Sequence, residues 1–368
     1  MSENICRWGI LGTAGIAKKN WQSIKNAGNA RLVGVASRDE ARAQAYIDEC
    51  QAHVSFDPAP RAIGSYEEML ASEDIDAVYV PLPTGPRKEW AIKAAEAGKH
   101  LMCEKPCGVD VTEVKEIIAA CDKAGVQFMD GVMFMHSDRL VKIRESLDDG
   151  ETIGKLRRIA TQFSFWAPED FLTGNIRMHS DLEPLGCLGD LGWYNIRFNL
   201  WVMNYQMPKV VTGRLLNASG RSDSPRQVPT EFSGEMLFDG DVSASFYCSF
   251  LTEHQQWAHV SGTKGSIRID DFVLPYYGND VAYTVSQPVF DQTVCDFNME
   301  RHESRVAVDE YSDSHPTSQE TKLFRNFSDL VLGGTPDSHW PDITLQTQRV
   351  MMACVESAEN GGKEVSLA

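Results

Sequence analysis

The sequence predicts an α/β protein of two domains, with a doubly wound parallel sheet in residues 1–130 and a β-rich domain in residues 131–368. Apolar strand-like runs alternate with helical patterns in the first part, which is typical of a parallel sheet with helices on both faces. Several longer runs in the second part alternate apolar with polar residues, as in a sheet covered on one face. A chain of 368 residues is also long enough for two domains.

The composition indicates a cytoplasmic globular protein. Hydrophobic residues make up 42% of the chain and charged residues 24%, which allows a substantial core. No apolar run approaches the roughly 20 residues that span a bilayer, and residues 1–4 lack the features of a signal peptide. The sequence therefore predicts no membrane association.

The net charge and the spacing of the cysteines argue against some kinds of ligand and cross-link. A formal net charge of -17 repels polyanions, so we expect no nucleic-acid partner, and an anionic cofactor needs locally placed cations. The nine cysteines are scattered without C-x-x-C pairs. We therefore expect neither a disulfide framework nor a metal site.

The chain opens with a strand, a glycine-containing turn, a helix and a second strand. Cys6 to Leu11 is the first predicted strand, and Leu32 to Ala36 is the second. Between them Gly12 can make a tight turn, while Ala14 stands where a second glycine usually lets the backbone approach a pyrophosphate. The amino terminus of the following helix then faces the phosphates of a dinucleotide. We predict that the turn binds this cofactor through Gly12, Thr13, Ala14, Gly15 and Ile16.

The second strand ends in Ser37-Arg38-Asp39, where a dinucleotide-binding fold reads the adenosine ribose. An acidic residue directly at the strand end favours a free 2′-hydroxyl, whereas Ser37 and Arg38 offer a hydroxyl and a guanidinium suited to a 2′-phosphate. The sequence therefore predicts NADP as the preferred cofactor, with NAD as the alternative. Asp39 is open to a second interpretation, as a helix cap.

Strands and helices continue to alternate up to residue 129. The loop from Pro81 to Thr84 leaves the carboxyl edge of the sheet, near the nicotinamide half of the cofactor, and its predicted contacts are Pro81, Leu82 and Thr84. The predicted helices are 65–72, 86–97 and 110–124, the last with Asp110 as its cap, and the predicted strands are 76–81, 99–103 and 126–129.

Glu104-Lys105-Pro106 follows the strand 99–103, so the lysine is delivered where open α/β sheets bind ligands. Pro106 ends the strand and favours an extended Lys105, and the bond between them can be cis or trans. We predict that Glu104 and Lys105 contact the cofactor. The alternative is a charged surface turn. The flanking Cys103 and Cys107 are interpreted as small buried thiols.

The second part contains a glycine-punctuated entry, Leu185 to Tyr194, into a helix that runs to about Met203. Residues 276–318 are polar and give no clear prediction. Other helices are predicted at 140–149, 319–332 and 342–359, and strands at 156–166, 210–216, 231–237, 242–250, 259–262 and 266–269.

Three motifs together resemble the Gfo/Idh/MocA oxidoreductases, the relatives of glucose-fructose oxidoreductase and inositol dehydrogenase. The resemblance runs essentially from end to end and implies an N-terminal Rossmann domain and a C-terminal α/β domain with a large, mainly antiparallel open sheet. That sheet often makes the oligomer contact in the family, which implies a homodimer or homotetramer. The motifs are Gly12-Thr13-Ala14-Gly15-Ile16-Ala17, Glu104-Lys105-Pro106 and Gly189-Asp190-Leu191-Gly192-Trp193-Tyr194.

The resemblance places Lys105 at the family's catalytic lysine, and Asp190 and Tyr194 at its acid/base pair. Many members carry histidine where this chain has Tyr194, and the tyrosine version resembles the dihydrodiol, xylose and glucose-fructose branch. The segment Thr84-Gly85-Pro86-Arg87 departs from the commoner asparagine or aspartate followed by histidine three residues on. Residue chemistry agrees with the assignment, because residues four apart share a helix face and a nearby ammonium favours the phenolate of tyrosine.

Structural interpretations compete with functional ones. Tyr194 can be a half-buried helix aromatic, and Asp190 can be a helix cap. Histidines near the expected cleft either contact substrate hydroxyls or serve the structure, and tryptophans either stack on a sugar or pack in the core. These residues are His136, His179, Trp166, Trp193 and Trp201.

We expect an oxidoreductase that moves a hydride between nicotinamide and a secondary alcohol or carbonyl carbon of a sugar, polyol or cyclic diol. Lys105 and Tyr194 manage the proton, and Asp190 orients Tyr194 or the substrate. One alternative is redox-neutral glycoside cleavage or epimerisation with a recycled nicotinamide. Another is a non-catalytic ligand sensor, which has no need for these three residues together.

Overall fold

The structure is a computed structural model that describes residues 4–367. Its helices are α1 (Gly15–Asn26), α2 (Glu40–His53), α3 (Tyr66–Ala71), α4 (Thr84–Glu96), α5 (Val111–Ala124), α6 (Asp138–Asp148), α7 (Glu169–Gly174), α8 (Trp193–Val202), α9 (Gln319–Gly333) and α10 (His339–Glu359). Its strands are β1 (Cys6–Leu11), β2 (Ala30–Ala36), β3 (Arg61–Ile63), β4 (Ala77–Val80), β5 (His100–Cys103), β6 (Phe128–Asp130), β7 (Leu156–Trp166), β8 (Val210–Ser219), β9 (Val228–Leu237), β10 (Ser243–Ser249), β11 (Leu251–Gly262), β12 (Ser266–Ile269), β13 (Val281–Ser286), β14 (Val289–Thr293), β15 (Asp296–Glu300), β16 (Glu303–Val308) and β17 (Val365–Ser366).

The first sheet has six parallel strands in the order β3-β2-β1-β4-β5-β6. This order reverses direction between β1 and β4, and such a switch point is where open α/β sheets bind ligands. The apolar run of β1 is buried along most of its length, as a strand covered on both faces must be. The predicted parallel sheet is confirmed.

Polar side chains cap three of the helices that connect these strands, α2, α3 and α5. The Asp110 carboxylate accepts the Glu113 N–H at 2.9 Å, so the predicted cap of α5 is confirmed. Gly125 ends that helix with a left-handed φ of 68°. The sequence analysis does not predict α2 or β3. The buried stripe of α2 includes the small residues Ala43 and Cys50, which give a weak apolar pattern.

The second sheet has nine strands in the order β16-β13-β12-β11-β7-β10-β9-β8-β17. Neighbouring strands are antiparallel except β7 and β10, which are parallel, and the expected mainly antiparallel sheet is therefore confirmed. Four strands, β13 to β16, lie in the region 276–318, for which the sequence gives no prediction. Of these, β14 and β15 form a separate hairpin whose strand residues are all exposed.

The described chain divides into two compact units that do not coincide with the predicted boundary at residue 130. The first unit runs to His136 and adds residues 179–184 and 313–348, while the second contains 137–178, 185–312 and the chain from 349 onward. In the first unit Trp8 of β1 is fully buried, and its indole Nε1 donates to Ser328 Oγ of α9 at 3.0 Å. Helix α9 therefore covers the first sheet, although the sequence analysis places it in the second domain.

Across residues 4–367, none of the helices combines the length and the apolar character needed to cross a membrane.

Candidate functional site

The carboxyl ends of the parallel strands meet at one edge of the first sheet. Leu11 pairs with Ala36, and Val80 pairs with Cys103, so the segments that follow these four residues leave the sheet at the same edge. Those segments are the ones predicted to bind the cofactor. They begin with Gly12, Ser37, Pro81 and Glu104.

The turn after β1 has the backbone that a phosphate-binding turn needs. Gly12 has a φ of 106°, and a Cβ at that position would lie 3.1 Å from Leu82 Cδ2, so glycine is required. Ala14 is the N-cap of α1 and supplies no side-chain cap, and the first helical turn holds no acidic residue. A Cβ at Gly15 would meet no atom within 4 Å. The helix amino terminus thus presents N–H donors and an open approach, which fit a pyrophosphate.

Two arginines lie beyond the carboxyl end of β2. Arg38 and Arg42 are exposed, and Arg42 Nε donates to Thr13 Oγ1 at 3.0 Å. Asp39 caps α2 by accepting the Ala41 N–H at 3.0 Å, so the cap interpretation of Asp39 describes the structure. Sequence reasoning missed Arg42, because it did not predict α2. Arg42 lies in the first turn of that helix.

The Glu104-Lys105-Pro106 segment follows β5 directly, and its Lys105-Pro106 bond is cis. The Glu104 carboxylate accepts a hydrogen bond from Tyr79 Oη and, at 3.3 Å, from the Lys105 N–H. Burial and Glu104 raise the pKa of Tyr79 well above its ordinary value, so this phenol stays a donor. Lys105 itself is half-buried. The buried Tyr79 hydroxyl thus holds the Glu104 carboxylate, and this carboxylate in turn binds the Lys105 N–H.

The thiols beside this lysine are buried, as predicted. Cys103 and Cys107 are fully buried. Burial raises the pKa of Cys103 to about 12, so its thiol stays protonated at neutral pH and is no nucleophile. In residues 4–367 no disulfide forms, and Cys295 is the exposed exception among the cysteines.

Thr84, predicted as a cofactor contact in a loop, is the first residue of α4 and is fully buried. Its N–H and its hydroxyl both donate to the Glu183 carboxylate, at 3.1 and 2.6 Å. A Cβ at Gly85 would lie 2.0 Å from the Asp181 carbonyl oxygen, so glycine lets residues 179–184 approach α4. Sequence reasoning missed Glu183, because 99 positions separate it from Thr84.

The second unit carries Asp190 and Tyr194. Asp190 lies in the π-helical turn Leu188–Gly192, and Tyr194 lies in the first turn of α8. The Asp190 carboxylate pairs with Arg177 Nε at 2.7 Å, so Asp190 is a salt-bridged group and not a simple cap. The Tyr194 ring is 8% exposed and contacts Phe163 edge-on. Arg177 is a further residue that sequence reasoning missed.

The candidate histidines belong to the first unit. His136 is buried, stacks on Trp340 with ring centroids 4.7 Å apart, and its Nδ1 lies 3.0 Å from Asn326 Nδ2. These contacts favour the structural interpretation of His136. His179 is half-buried, and its Nδ1 accepts the Asp181 N–H at 3.2 Å.

The three candidate tryptophans differ in solvent exposure: two are buried and one is exposed. Trp193 and Trp201 are buried in the second unit, which agrees with core packing. Trp166, the last residue of β7, is 70% exposed and leaves its ring face accessible. The predicted site residues thus form two sets: Asp190, Tyr194 and the three tryptophans lie in the second unit, and the other predicted residues lie in the first.

Among residues 4–367, no three His, Cys, Asp or Glu side chains are grouped so that they could hold a metal ion.

The chain matches two family profiles. Residues 6–132 match the Gfo/Idh/MocA profile described as an oxidoreductase family with an NAD-binding Rossmann fold, and residues 140–268 match the GFO/IDH/MocA C-terminal domain. The two matches cover both sheets of the structure in large part.

Named relatives show the same similarity. D-xylose 1-dehydrogenase (NADP(+)) 2 of Haloferax volcanii is 30% identical over 288 residues, which cover 78% of this chain and 83% of that protein. Trans-1,2-dihydrobenzene-1,2-diol dehydrogenase of Mus musculus is 29% identical over 274 residues, or 73% of this chain and 76% of that protein. The crystal structure of KijD10, a 3-ketoreductase from Actinomadura kijaniata in complex with NADP and TDP-benzene, superposes with a TM-score of 0.77 at 22% identity, over 96% of this chain and 98% of that one.

Proposed function

Because this chain belongs to the Gfo/Idh/MocA oxidoreductase family, we propose that it transfers a hydride between the nicotinamide of NADP and a secondary alcohol or carbonyl carbon of a sugar, polyol or cyclic diol. The observation that carries the proposal is the position of Lys105, which leaves the first sheet at the same edge as the glycine turn. The related dehydrogenases support the substrate class, because their names give a sugar and a cyclic diol.

Residues of the chain transfer the hydroxyl proton and stabilise the charge on the substrate oxygen. Bound NADP supplies the hydride acceptor, or the donor in the reverse direction. The Lys105 ammonium stabilises negative charge on the oxygen, and the Tyr194 phenol exchanges the hydroxyl proton. Asp190, kept in place by Arg177, orients Tyr194 or the substrate.

The preference for NADP is part of the proposal. Arg38 and Arg42 offer two exposed guanidinium groups beyond β2, and guanidinium binds phosphate with short, charge-assisted hydrogen bonds. Asp39, which could otherwise accept from a free 2′-hydroxyl, is engaged by the Ala41 N–H. Both observations favour a 2′-phosphate over a hydroxyl.

The proposal also includes a cytoplasmic location and a homodimer or homotetramer. Within residues 4–367, eight cysteines are buried and none forms a disulfide, which supports a reducing compartment. Exposed apolar side chains on the second sheet support self-association through that sheet. They include Leu215, Leu216 and Leu237.

The function is tested by incubating the protein with NADP or NAD and a panel of aldoses, polyols and cyclic trans-diols, and by following the absorbance of the reduced nicotinamide. We expect reduced nucleotide to accumulate with at least one substrate, and faster with NADP. Conversion of one sugar into another without net change in nucleotide supports the redox-neutral alternative. The proposal fails if neither nucleotide nor substrate changes in either direction.

Replacing the two proposed proton-handling groups tests the mechanism. We expect Lys105→Ala and Tyr194→Phe each to lower kcat by roughly 10²- to 10⁴-fold, because each removes a general acid/base or charge-stabilising group. Fluorescence titration should show nearly unchanged NADP affinity. The matched controls, Lys123→Ala and Tyr276→Phe, alter an exposed lysine and an exposed tyrosine and should retain activity. Near-normal kcat in both test variants contradicts the mechanism.

A further inference from the structure

Arg87 is a buried arginine that holds two loops of the first unit together. It lies in the first turn of α4 and is 2% exposed. Its Nε donates to the Leu82 carbonyl oxygen at 2.9 Å, and its Nη1 donates to the carbonyl oxygen of Pro106. The two acceptors lie on the loops that follow β4 and β5. A guanidinium carries several donors in a rigid fork, so it can serve both loops at once.

A carboxylate completes this network. The Arg87 guanidinium lies 3.4 Å from Thr84 Oγ1, and that hydroxyl donates to Glu183 at 2.6 Å. Burying a charged group costs free energy unless hydrogen bonds satisfy it. Here two backbone carbonyls and the Thr84 hydroxyl accept from the guanidinium, and the Glu183 carboxylate is linked to it through that hydroxyl. Through Thr84 and Arg87, the start of α4 is therefore bonded to Glu183 and to the loops that follow β4 and β5.

Lys105 is held on both sides of its backbone. Its own N–H donates to Glu104 at 3.3 Å, and the carbonyl of the next residue, Pro106, accepts from Arg87. We propose that Arg87 is a positioning residue for Lys105: it fixes the backbone from which the ammonium is delivered to the substrate oxygen. This inference rests on the role proposed for Lys105.

The kinetic test compares Arg87→Lys and Arg87→Met with the wild type. We expect kcat to fall by about tenfold to a hundredfold in both, because a displaced catalytic group loses its productive geometry, while the dissociation constant of NADP stays nearly unchanged. Lysine keeps the charge but not the fork, so Arg87→Lys should restore only part of kcat. Arg139→Lys is the control: Arg139 is an equally buried arginine, paired with Asp271, and its loss should lower Tm without lowering kcat.

A second readout does not depend on turnover. Reductive methylation of Lys105, followed by mass spectrometry over a range of pH, reports the reactivity of its amine. We expect the pH profile of Lys105 methylation to shift in Arg87→Met and to stay unchanged in Arg139→Lys. An unchanged profile, or a fall in kcat no larger than in Arg139→Lys, overturns the inference. If the wild type transfers no hydride to any substrate, the proposed function fails, and the methylation profile still decides whether Arg87 positions Lys105.

Discussion

The guanidinium groups of Arg38 and Arg42 give a test of cofactor choice at the level of single residues. Each charge-assisted bond to a phosphate contributes about 1.5–3 kcal/mol. We therefore expect Arg38→Ala and Arg42→Ala each to weaken NADP binding by about tenfold or more, and to leave NAD binding nearly unchanged. Isothermal titration with both nucleotides measures this.

The control for the two arginines is Arg31→Ala, which removes an exposed guanidinium near the amino end of the same strand, β2. Arg31→Ala should bind both nucleotides like the wild type. Equal losses for NADP and NAD in the test variants contradict a 2′-phosphate site.

His100 makes the stability of the first unit depend on pH. Burial lowers the pKa of His100, and Asp76 opposes this shift only in part. Its Nδ1 accepts the Gln127 N–H at 2.9 Å, which requires the neutral ring. The folded pKa thus lies below the unfolded one, so the stabilisation is present above about pH 6.5 and is lost as the pH falls further.

We expect the free energy of unfolding to decrease between about pH 7 and pH 5, and to decrease less in His100→Asn. Asparagine keeps an acceptor near the position of Nδ1 and does not titrate in this range. Urea unfolding at several pH values measures the difference. Parallel pH dependence in the variant and the wild type contradicts this role for His100.

At the level of elements, Gly213 of β8 lets a helix approach the second sheet closely. A Cβ at this position would lie 2.1 Å from the carbonyl oxygen of Cys354 in α10, a backbone atom that cannot turn aside. We expect Gly213→Ala to lower the free energy of unfolding by about 1–3 kcal/mol, as overpacking does. Gly174→Ala is the control, because a Cβ there would meet no atom within 4 Å. Similar urea midpoints for both variants contradict the prediction.

Elements with strong local signals were predictable from the sequence, and those defined by distant pairing were not. The predicted strands Cys6–Leu11 and 156–166 match β1 and β7, because apolar runs and alternation mark them locally. Strand β11 begins at Leu251, eight residues before its predicted start, because its first half is polar and is ordered by pairing with β7. Strands β13 and β16 likewise pair across a separation that local patterns do not report.

The candidate site shows the same division between local and distant information. Glu104-Lys105-Pro106 is a contiguous motif, and its place after a strand of the parallel sheet was predicted. The partners of the predicted residues were not, because Glu183 and Arg177 meet them through the tertiary fold. The sequence shows that Glu183 and Arg177 are charged, but only the folded structure shows which residues they pair with.

At the level of the whole molecule, the first unit depends on chain that is distant in sequence. Trp8 contacts the rings of Phe324 and Phe327 of α9, with centroids 5.1 and 5.0 Å away. We expect residues 1–136 alone to lack cooperative unfolding, because removing α9 exposes the buried side chains of β1. Near-ultraviolet circular dichroism and thermal melting measure this.

Joining residues 313–348 to that fragment through a Gly/Ser linker should restore a cooperative transition. The control joins a scrambled α9 sequence of equal length. A sharp thermal transition in residues 1–136 alone contradicts the dependence on α9.

The return of α9 to the first sheet also sets an order of events during synthesis. A ribosome builds the chain from its amino terminus, so the helix that completes this sheet leaves the exit tunnel only after Gly333 has been added. Trp8 of the nascent nucleotide-binding unit then stays uncovered while residues 137–333 are still being translated. Any premature stop before α9 releases a fragment with a bare aromatic surface, which molecular chaperones and proteases recognise.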